Sequence, residues 1–375
     1  MEQETDKTAL ILTGGGARGA YQVGVLCALG EALGAKERPF DVITGVSVGA
    51  INAACLTADA DNIGLAIRKL GALWAGLHTD SIYRADVATM ARTILSYGAA
   101  ATFGWAGARP PKSILDNQPL RELLRREVDF DRLAEMVEGP TLDALAITAS
   151  SYEDGTSVSF YHGSTPARPW QRSRRIGTTG RITAEHIMAS AALPFVFPSV
   201  KIDDEYYGDG ALRQIAPLSP AIHLGCNRLF LIGARDAEIG GEPENAPAYP
   251  SPGVIAGQLL DIVFNDNLEA DVERLKRINS TLDSMMPERR ALTDLHHVDV
   301  MMLQPSEDVR KIAARHVAEL PWSVKALLRA LGAWKAPWVL PSYLMFEPGY
   351  IRALMDLGRK DALERIDEIR DFLRC

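Results

Sequence analysis

One stretch, DVITGVSVGAINAACL at residues 41–56, constrains the fold of this chain more than any other. A short β-rich run leads into GVSVG at residues 45–49, and a run of small residues typical of a helix follows. Gly-x-Ser-x-Gly between a strand and a helix predicts a nucleophile elbow, a tight turn whose serine adopts a strained backbone conformation. Gly45 and Gly49 leave room where a Cβ atom would clash with the neighbouring strand and helix. The elbow therefore presents the Ser47 hydroxyl at a helix N-terminus, where negative charge is favoured.

A second glycine cluster, TGGGARGA at residues 13–20, is called the glycine loop below. It follows a short apolar strand predicted at residues 8–12 and precedes a helix predicted from about Tyr21 to Leu33. A glycine triplet at such a turn lets backbone N–H groups converge on an anion. Because parallel strands end at one edge of a sheet, we expect the N–H groups of Gly15 and Gly16 to face Ser47 as an oxyanion hole.

The glycine loop also matches two nucleotide-binding patterns in part. Gly14-x-Gly16-x-x-Gly19 has the form of a dinucleotide site, but such a site needs an acid at the end of the second strand. This chain has TGVS at residues 44–47 instead. A phosphate-binding loop needs Gly-Lys-Ser/Thr, which does not follow the glycines. These departures make a dinucleotide site a minor alternative and argue against a phosphate-binding loop.

An aspartate is the third candidate for the site. Residues 183–198 (TAEHIMASAALPFVFP) predict a helix that ends before Pro194, and YYGDGA at residues 206–211 comes soon after. Asp-Gly between strand-like residues is most often a hairpin turn. The functional interpretation is that Asp209, held between two glycines, approaches Ser47 closely enough for its carboxylate to take the serine proton.

Together these patterns resemble the three motifs of the patatin-like phospholipase family. They are GGGARG at 14–19, GVSVG at 45–49 and DGA at 209–211, in the family's order and at about its spacing. The block SAALPFVFP at 190–198 is similar to the family's segment ahead of the aspartate motif. Thr13 ends the first strand where many members have Asp, and we expect no effect on catalysis.

The resemblance covers roughly residues 7–233 and implies a Ser–Asp dyad that hydrolyses lipid acyl esters without histidine, metal or other cofactor. It assigns Ser47 and Asp209 as catalytic. The residues it implies for the oxyanion hole are Gly14, Gly15 and Gly16, and those that support the motifs are Arg18, Gly19, Gly45, Gly49 and Gly210.

Alternation of strands and helices predicts an α/β fold with a mostly parallel sheet, and the resemblance implies a three-layer, patatin-like sandwich. We expect a catalytic core at residues 7–233 and a C-terminal extension at 234–375 packed on the same domain. The extension is predicted to contain a loop at 238–252, one long helix from Val254 to Arg277, a last strand at 297–303 and a terminal helix at 350–373.

Two segments have open interpretations. Residues 86–97 are predicted to be helical, and residues 98–108, rich in glycine, alanine and aromatic residues, form either a lid over an apolar cleft or an ordinary connection. The aromatic-rich segment 322–346 either packs on the sheet or lies at a membrane interface, and we favour packing.

Composition limits which partners and which cellular compartment we expect for this protein. A net charge of −8 gives no general attraction to nucleic acid. Four widely separated cysteines suggest neither a zinc site nor a disulfide framework, which fits a reducing compartment. The polar, acidic N-terminus is unlike a secretory signal. We expect a cytoplasmic protein, with peripheral membrane attachment as an option, whose partner is a lipid ester at a membrane or micelle surface. The sequence does not determine the oligomeric state.

Three alternatives to the dyad hydrolase stay open. A Ser–His–Asp esterase of the α/β-hydrolase kind would need one of the histidines downstream of Asp209, which are His223, His296, His297 and His316. None of these lies in a distinctive sequence setting. A lipid- or acyl-binding protein without turnover would use the glycine loop to hold a carboxylate or phosphate. An acyltransferase would pass the acyl group from Ser47 to an alcohol.

Overall fold

The structure is a computed structural model that describes residues 6–32, 38–86, 112–164, 169–235 and 249–374. The predicted loop at 98–108, with its two interpretations, lies outside these residues. So do the predicted helix at 86–97, except for its first residue, and residues 238–248 of the predicted loop.

A mixed sheet of ten strands runs through the described chain. The strands are β1 (Thr8–Leu12), β2 (Val42–Val46), β3 (Ala144–Ser151), β4 (Ser157–Gly163), β5 (Trp170–Arg172), β6 (Arg175–Thr179), β7 (Val200–Ile202), β8 (Glu205–Asp209), β9 (Arg228–Ile232) and β10 (Asp299–Leu303). Their order is β10-β9-β1-β2-β3-β4-β6-β5, and β8 pairs with both β3 and β7. All pairings from β10 to β3 are parallel, so the predicted α/β fold with a mostly parallel sheet is confirmed.

Helices cover both faces of this sheet. In the first half of the chain they are α1 (Ala20–Ala32), α2 (Val48–Ala58), α3 (Ile63–Ala75), α4 (Thr79–Ile82), α5 (Gln118–Glu127), α6 (Phe130–Glu138) and α7 (Ala184–Ser190). In the second half they are α8 (Ser219–His223), α9 (Pro252–Asp261), α10 (Asn267–Ser284), α11 (Pro287–Arg290), α12 (Val309–His316), α13 (Trp322–Ala330), α14 (Val339–Leu344), α15 (Pro348–Glu364) and α16 (Ile366–Leu373).

The core is divided by the sheet into two layers, because successive side chains of a strand point to opposite faces. In β1, Leu10 and Leu12 belong to the larger core with α1, α2 and α3. Ala9 and Ile11 belong to a second core with residues of α8 and α10. The three-layer arrangement is therefore present, and the sheet lies between two apolar layers.

The C-terminal segment packs closely on the rest of the fold. Strand β10 extends the sheet by pairing with β9, and α15 crosses α1 at two glycines. A Cβ atom at Gly24 would lie 2.0 Å from the carbonyl oxygen of Met355, and one at Gly358 would lie 2.2 Å from that of Tyr21. The boundary at residues 233/234 stays a prediction.

Three details of the predicted extension differ in the structure. The single long helix expected from Val254 to Arg277 is α9 and α10 separated by a π-helical turn, Ile262–Asp266. The predicted terminal helix divides at Arg365 into α15 and α16. In the aromatic segment, residues 339–346 are buried as favoured, whereas Trp322 is 65% exposed. Apolar periodicity alone could not reveal these breaks, since it continues through both of them.

Candidate active site

Strand register brings Ser47 and Asp209 together. Strand β2 ends at Val46, opposite Thr148 of β3, and β8 ends at Asp209, opposite Ala149, the next residue of β3. Because β4 occupies the other edge of β3, β8 must lie on the same edge as β2, end to end with it. The antiparallel approach of β8 therefore delivers Asp209 to the end of β2, where the elbow begins.

The predicted strand–turn–helix geometry is present at Ser47. This residue precedes α2 with φ 54° and ψ −125°, a backbone conformation that a residue with a side chain rarely adopts. A Cβ atom at Gly45 would lie 2.4 Å from the carbonyl oxygen of Gly49, and one at Gly49 would lie 2.1 Å from that of Leu12. Both contacts are with backbone, which cannot move aside, so only glycine fits at the two flanking positions.

Ser190, at the end of α7, holds the strained turn in place. Its hydroxyl accepts a hydrogen bond from the Ser47 N–H (2.9 Å) and donates one to the carbonyl oxygen of Thr148 (2.6 Å). Ser190 is fully buried, so these bonds are shielded from water. The sequence offered Ser190 only as the first residue of a block similar to the family's, without indicating this role.

The carboxylate of Asp209 lies beside the nucleophile. The Ser47 side chain lies close enough to lower the pKa of this carboxyl group, and the Ala211 N–H donates a hydrogen bond to Oδ1 at 3.0 Å. Asp209 is only 1% exposed. This burial raises the pKa of Asp209 to about 7, and the Ser47 side chain and the Ala211 N–H, which favour the ionised form, oppose the shift without cancelling it. Near neutral pH Asp209 can therefore exist both as the carboxylate, which accepts a proton, and as the carboxylic acid, which donates one.

Gly210, predicted to support the aspartate motif, lies where three strands converge. A Cβ atom there would lie 2.1 Å from the carbonyl oxygen of Thr148 and 2.7 Å from a methyl group of Val46. The absence of a side chain at this position lets β8 end directly against β2.

The glycine loop lies against the elbow. A Cβ atom at Gly14 would be 3.2 Å from Cβ of Ser47, and one at Gly19 would be 2.7 Å from a methyl group of Val48. Gly16 has φ 55°, and a Cβ atom there would lie 2.3 Å from the carbonyl oxygen of Tyr343. Gly15, between them, lies close to Ala234. The structure thus brings the predicted loop to the nucleophile, while the role of its N–H groups as oxyanion donors stays a prediction.

Arg18, predicted to support the same motif, contacts the C-terminal half of the chain. It is 1% exposed and forms an ion pair with Asp261, with Nη1 3.0 Å from Oδ1. Its guanidinium also donates hydrogen bonds to Ser342 and Tyr343. These partners belong to two pieces that we call the C-terminal cover, residues 252–264 and 339–344.

Phe264 is a neighbour of the site that sequence reasoning missed. A Cβ atom at Gly14 would lie 2.5 Å from the Phe264 ring, and this ring stacks on that of Tyr343 with 5.4 Å between the centroids. Phe264 lies in the π-helical turn and packs in a small apolar cluster with Val46 and Ala211, next to both catalytic candidates. In the sequence it was one apolar residue of a predicted helix, which carried no functional signal.

Three of the four histidines considered for a triad have partners elsewhere. Those partners are Ser219 and Trp170 for His223, Asp283 and Asp299 for His297, and Glu319 for His316. In addition, burial lowers the pKa of His223. Within the described chain none of these contacts joins a histidine to Asp209, which favours the dyad over the triad.

Two features are absent from the described residues. No three His, Cys, Asp or Glu side chains among them form a group that could hold a metal ion. No described helix combines the length and apolar character needed to cross a bilayer. The metal-free mechanism and the cellular location stay predictions.

Sequence comparisons give one family match and one short curated match. The family model described as patatin-like phospholipase matches residues 10–222. Lysophospholipase nte1 of Aspergillus terreus is 44% identical over 71 residues, which cover 17% of this chain and 4% of that protein. This chain therefore matches only a small part of that relative.

Solved structures similar to this one include VipD from Legionella pneumophila and human GIVD cytosolic phospholipase A2 with methyl gamma-linolenyl fluorophosphonate and terbium chloride. VipD is 13% identical with a TM-score of 0.38, and the match covers 97% of this chain and 67% of VipD. The human enzyme is 12% identical with a TM-score of 0.43, and the match covers 100% of this chain and 60% of the enzyme. Likenesses at this level carry no argument about the site.

Proposed function

The chain belongs to the patatin-like phospholipase family, and we propose from this premise that it is a lipid acyl hydrolase with a Ser47–Asp209 dyad. Family membership supports lipid acyl hydrolysis in general. The finer proposal depends on one observation: a buried Asp209, whose pKa is raised to about 7, lies beside Ser47 where β8 meets the end of β2. An ordinary aspartate, with a pKa of about 3.9, is a poor base toward serine, whereas one near 7 is matched to neutral pH.

The proposed reaction begins with proton transfer. The Asp209 carboxylate takes the Ser47 hydroxyl proton as Oγ attacks the carbonyl carbon of a lipid ester. The oxyanion of the tetrahedral intermediate lies toward the N–H groups of Gly15 and Gly16, and each such donor typically contributes about 3–4 kcal/mol. The intermediate then collapses, the alcohol part of the lipid leaves with the proton from Asp209, and the acyl group stays on Ser47.

The second half of the reaction releases the acid. Water gives a proton to Asp209 and attacks the acyl-enzyme, and a second tetrahedral intermediate forms in the same oxyanion hole. Its collapse breaks the bond to Ser47, which recovers its proton from Asp209 while a fatty acid is released. Burial of the dyad supports this mechanism because hydrogen bonds to developing charge are stronger away from water. A cytoplasmic location and action on lipid at a membrane or micelle surface belong to the same proposal.

A fluorophosphonate probe and a lipid panel test the proposal. Wild type should be labelled and should release fatty acid from at least one of phospholipid, lysophospholipid or neutral glyceride vesicles. Ser47→Ala should lose labelling and reduce hydrolysis by roughly 10⁴-fold or more. The control is Ser157→Ala, which removes another buried hydroxyl, from β4, and should behave as wild type.

Three results would contradict the proposal in different ways. Lipid binding without labelling or turnover would make the protein a binder. Transfer of the acyl group mainly to added glycerol or lysolipid would make it an acyltransferase. Labelling of wild type that survives in Ser47→Ala would place the nucleophile elsewhere.

A further inference from the structure

The charged group closest along the chain to the three glycines of the loop is fully buried. Arg18 lies in the 3-10 turn Gly16–Gly19, two residues after Gly16, and is 1% exposed. A buried guanidinium is costly unless it is paired and hydrogen-bonded, and removing one partner from such a pair is strongly destabilising. The position of this turn therefore depends on what Arg18 binds.

Within the part of the chain that the structure describes, every hydrogen-bond acceptor of the Arg18 side chain belongs to the C-terminal cover. Asp261 Oδ1 accepts hydrogen bonds from Nη1 of Arg18 (3.0 Å) and from the Tyr343 hydroxyl (2.7 Å). That hydroxyl also accepts a hydrogen bond from Arg18 at 3.0 Å, which closes a three-membered network. Ser342 Oγ accepts from Nε at 3.0 Å and from Nη2 at 2.8 Å. Four of the hydrogen bonds that the planar guanidinium can donate are thus directed at the cover.

The cover also touches the glycine loop directly, on either side of Gly15. The Phe264 ring lies against Gly14, and the carbonyl oxygen of Tyr343 lies against Gly16. The Arg18 guanidinium stacks over the Tyr343 ring at 3.8 Å, and that ring stacks on Phe264. A continuous stack therefore runs from Arg18 to the ring beside Gly14.

Glycines gain no rigidity from their own side chains, so the shape of such a loop must be set by its neighbours. Oxyanion donors must be held close to the productive geometry, and a misplacement of about 1 Å can cost about 100-fold in rate. The network on Arg18 and the contacts at Gly14 and Gly16 are the neighbours that can hold this geometry.

We propose that Asp261 and Tyr343 are positioning residues that act through Arg18 to hold the glycine loop in its catalytic shape. Both lie outside residues 10–222, the part that matches the family model, so the chain's own C-terminal segment completes the oxyanion hole. The inference rests on the proposed function, in which the N–H groups of Gly15 and Gly16 stabilise the oxyanion.

Two nearly isosteric variants of the full chain test it. Asp261→Asn removes the charge that pairs with Arg18, and Tyr343→Phe removes one hydroxyl and keeps the stack. The measurements are kcat and KM for p-nitrophenyl butyrate, the rate of phosphonylation by a fluorophosphonate, and the melting temperature. We expect kcat and the phosphonylation rate to fall about 10- to 100-fold in Asp261→Asn, with KM within about twofold.

In Tyr343→Phe, kcat and the phosphonylation rate should fall about 5- to 20-fold, because one of the three links of the network is broken. The double variant should be within about threefold of Asp261→Asn alone, since residues of one network do not act additively. The control is Asp271→Asn in α10. Asp271 is also a buried carboxylate, but its partners are Arg274 and the Leu218 N–H. This variant should leave kcat and the phosphonylation rate within about twofold of wild type.

Wild-type kcat and phosphonylation in folded Asp261→Asn would overturn the inference, as would an equal loss in Asp271→Asn. If Asp261→Asn does not fold, Tyr343→Phe tests the inference instead. Wild-type rates in Tyr343→Phe would contradict the proposed network. Failure of the proposed function is distinguishable: a wild type that is neither labelled nor active overturns both.

Discussion

Two regions of the molecule meet at Ser47 and are built in different ways. In the motif region, which comprises the glycine loop, the elbow and the Asp209 turn, backbone approaches backbone: added Cβ atoms at Gly49 and Gly210 would each lie 2.1 Å from a carbonyl oxygen. The C-terminal cover reaches the site mainly through side chains, by the Arg18–Asp261 pair and the Phe264–Tyr343 stack, with one backbone contact from the Tyr343 carbonyl oxygen to Gly16. Geometry built from backbone tolerates no change and leaves a local pattern in the sequence. Geometry built from distant side chains tolerates some change and leaves no local pattern.

The largest effect is expected where backbone meets backbone. Gly49→Ala forces a Cβ atom against the carbonyl oxygen of Leu12, so it should cost about 4 kcal/mol or more, above the usual 1–3 kcal/mol for overpacking. We also expect kcat/KM to fall at least 100-fold, because the elbow must shift. Urea unfolding and esterase kinetics measure both. Gly180→Ala is the control, since a Cβ atom there meets nothing within 4 Å. If the two variants behaved alike, the distinction between the regions would fail.

A second prediction concerns the stability cost of the raised Asp209 pKa. Because the pKa of Asp209 is higher in the native state than in the unfolded chain, the native state binds the carboxyl proton more tightly. The protonated Asp209 therefore stabilises the fold fully below about pH 3.9, and this stabilisation is lost as the pH rises toward 7. Asp209→Asn removes the charge, so it should be inactive yet more stable than wild type by about 4 kcal/mol at pH 8. Near pH 4 the gain should largely disappear.

Urea unfolding at the two pH values measures this linkage. Asp361→Asn is the matched variant, at a buried carboxylate that accepts hydrogen bonds from Ser306, and it should bring no such gain. An Asp209→Asn protein less stable than wild type at pH 8 would mean that the carboxylate is not strained by burial.

A smaller effect is expected in the cover. Phe264→Leu keeps an apolar side chain beside Gly14, so it should cost about 1 kcal/mol and lower kcat/KM less than about tenfold. Phe40→Leu, at another buried ring, should cost a similar amount of stability without changing kcat/KM. A loss for Phe264→Leu as large as that for Gly49→Ala would show that the cover is no more tolerant than the motif region.

The smallest effect is expected at the histidines. Replacing His223, His296, His297 and His316 one at a time by Gln should change kcat/KM less than about twofold, because the described contacts of His223, His297 and His316 lie away from Asp209. Steady-state assays on each variant check this. A loss of several orders of magnitude in one variant would establish a triad.

What could be predicted from the sequence follows the same division. The strand–turn–helix at Ser47, the neighbouring glycine loop and the Asp209 turn were readable because each depends on glycines at fixed local spacing. The α/β fold was readable from alternating strands and helices, and the structure confirms it.

The cover was not readable, for physical reasons. Nothing near Asp261 marks it as the partner of Arg18, which lies far away along the chain, and the turn that carries Phe264 continues the apolar pattern of a helix. Ser190 was visible as part of a block, but its hydrogen bond to the Ser47 N–H depends on how α7 packs. Side-chain pairs between distant segments leave no local spacing to detect.

The most direct test of the central claim is the pH dependence of Ser47 phosphonylation by a fluorophosphonate, measured by intact-protein mass spectrometry. If Asp209 is the base for Ser47, the rate should rise with an apparent pKa of about 7 and reach a plateau above it. In Asp209→Asn it should be slower by orders of magnitude and lack this transition. A transition near pH 7 that persists in Asp209→Asn would contradict the account, because another group would then activate the serine.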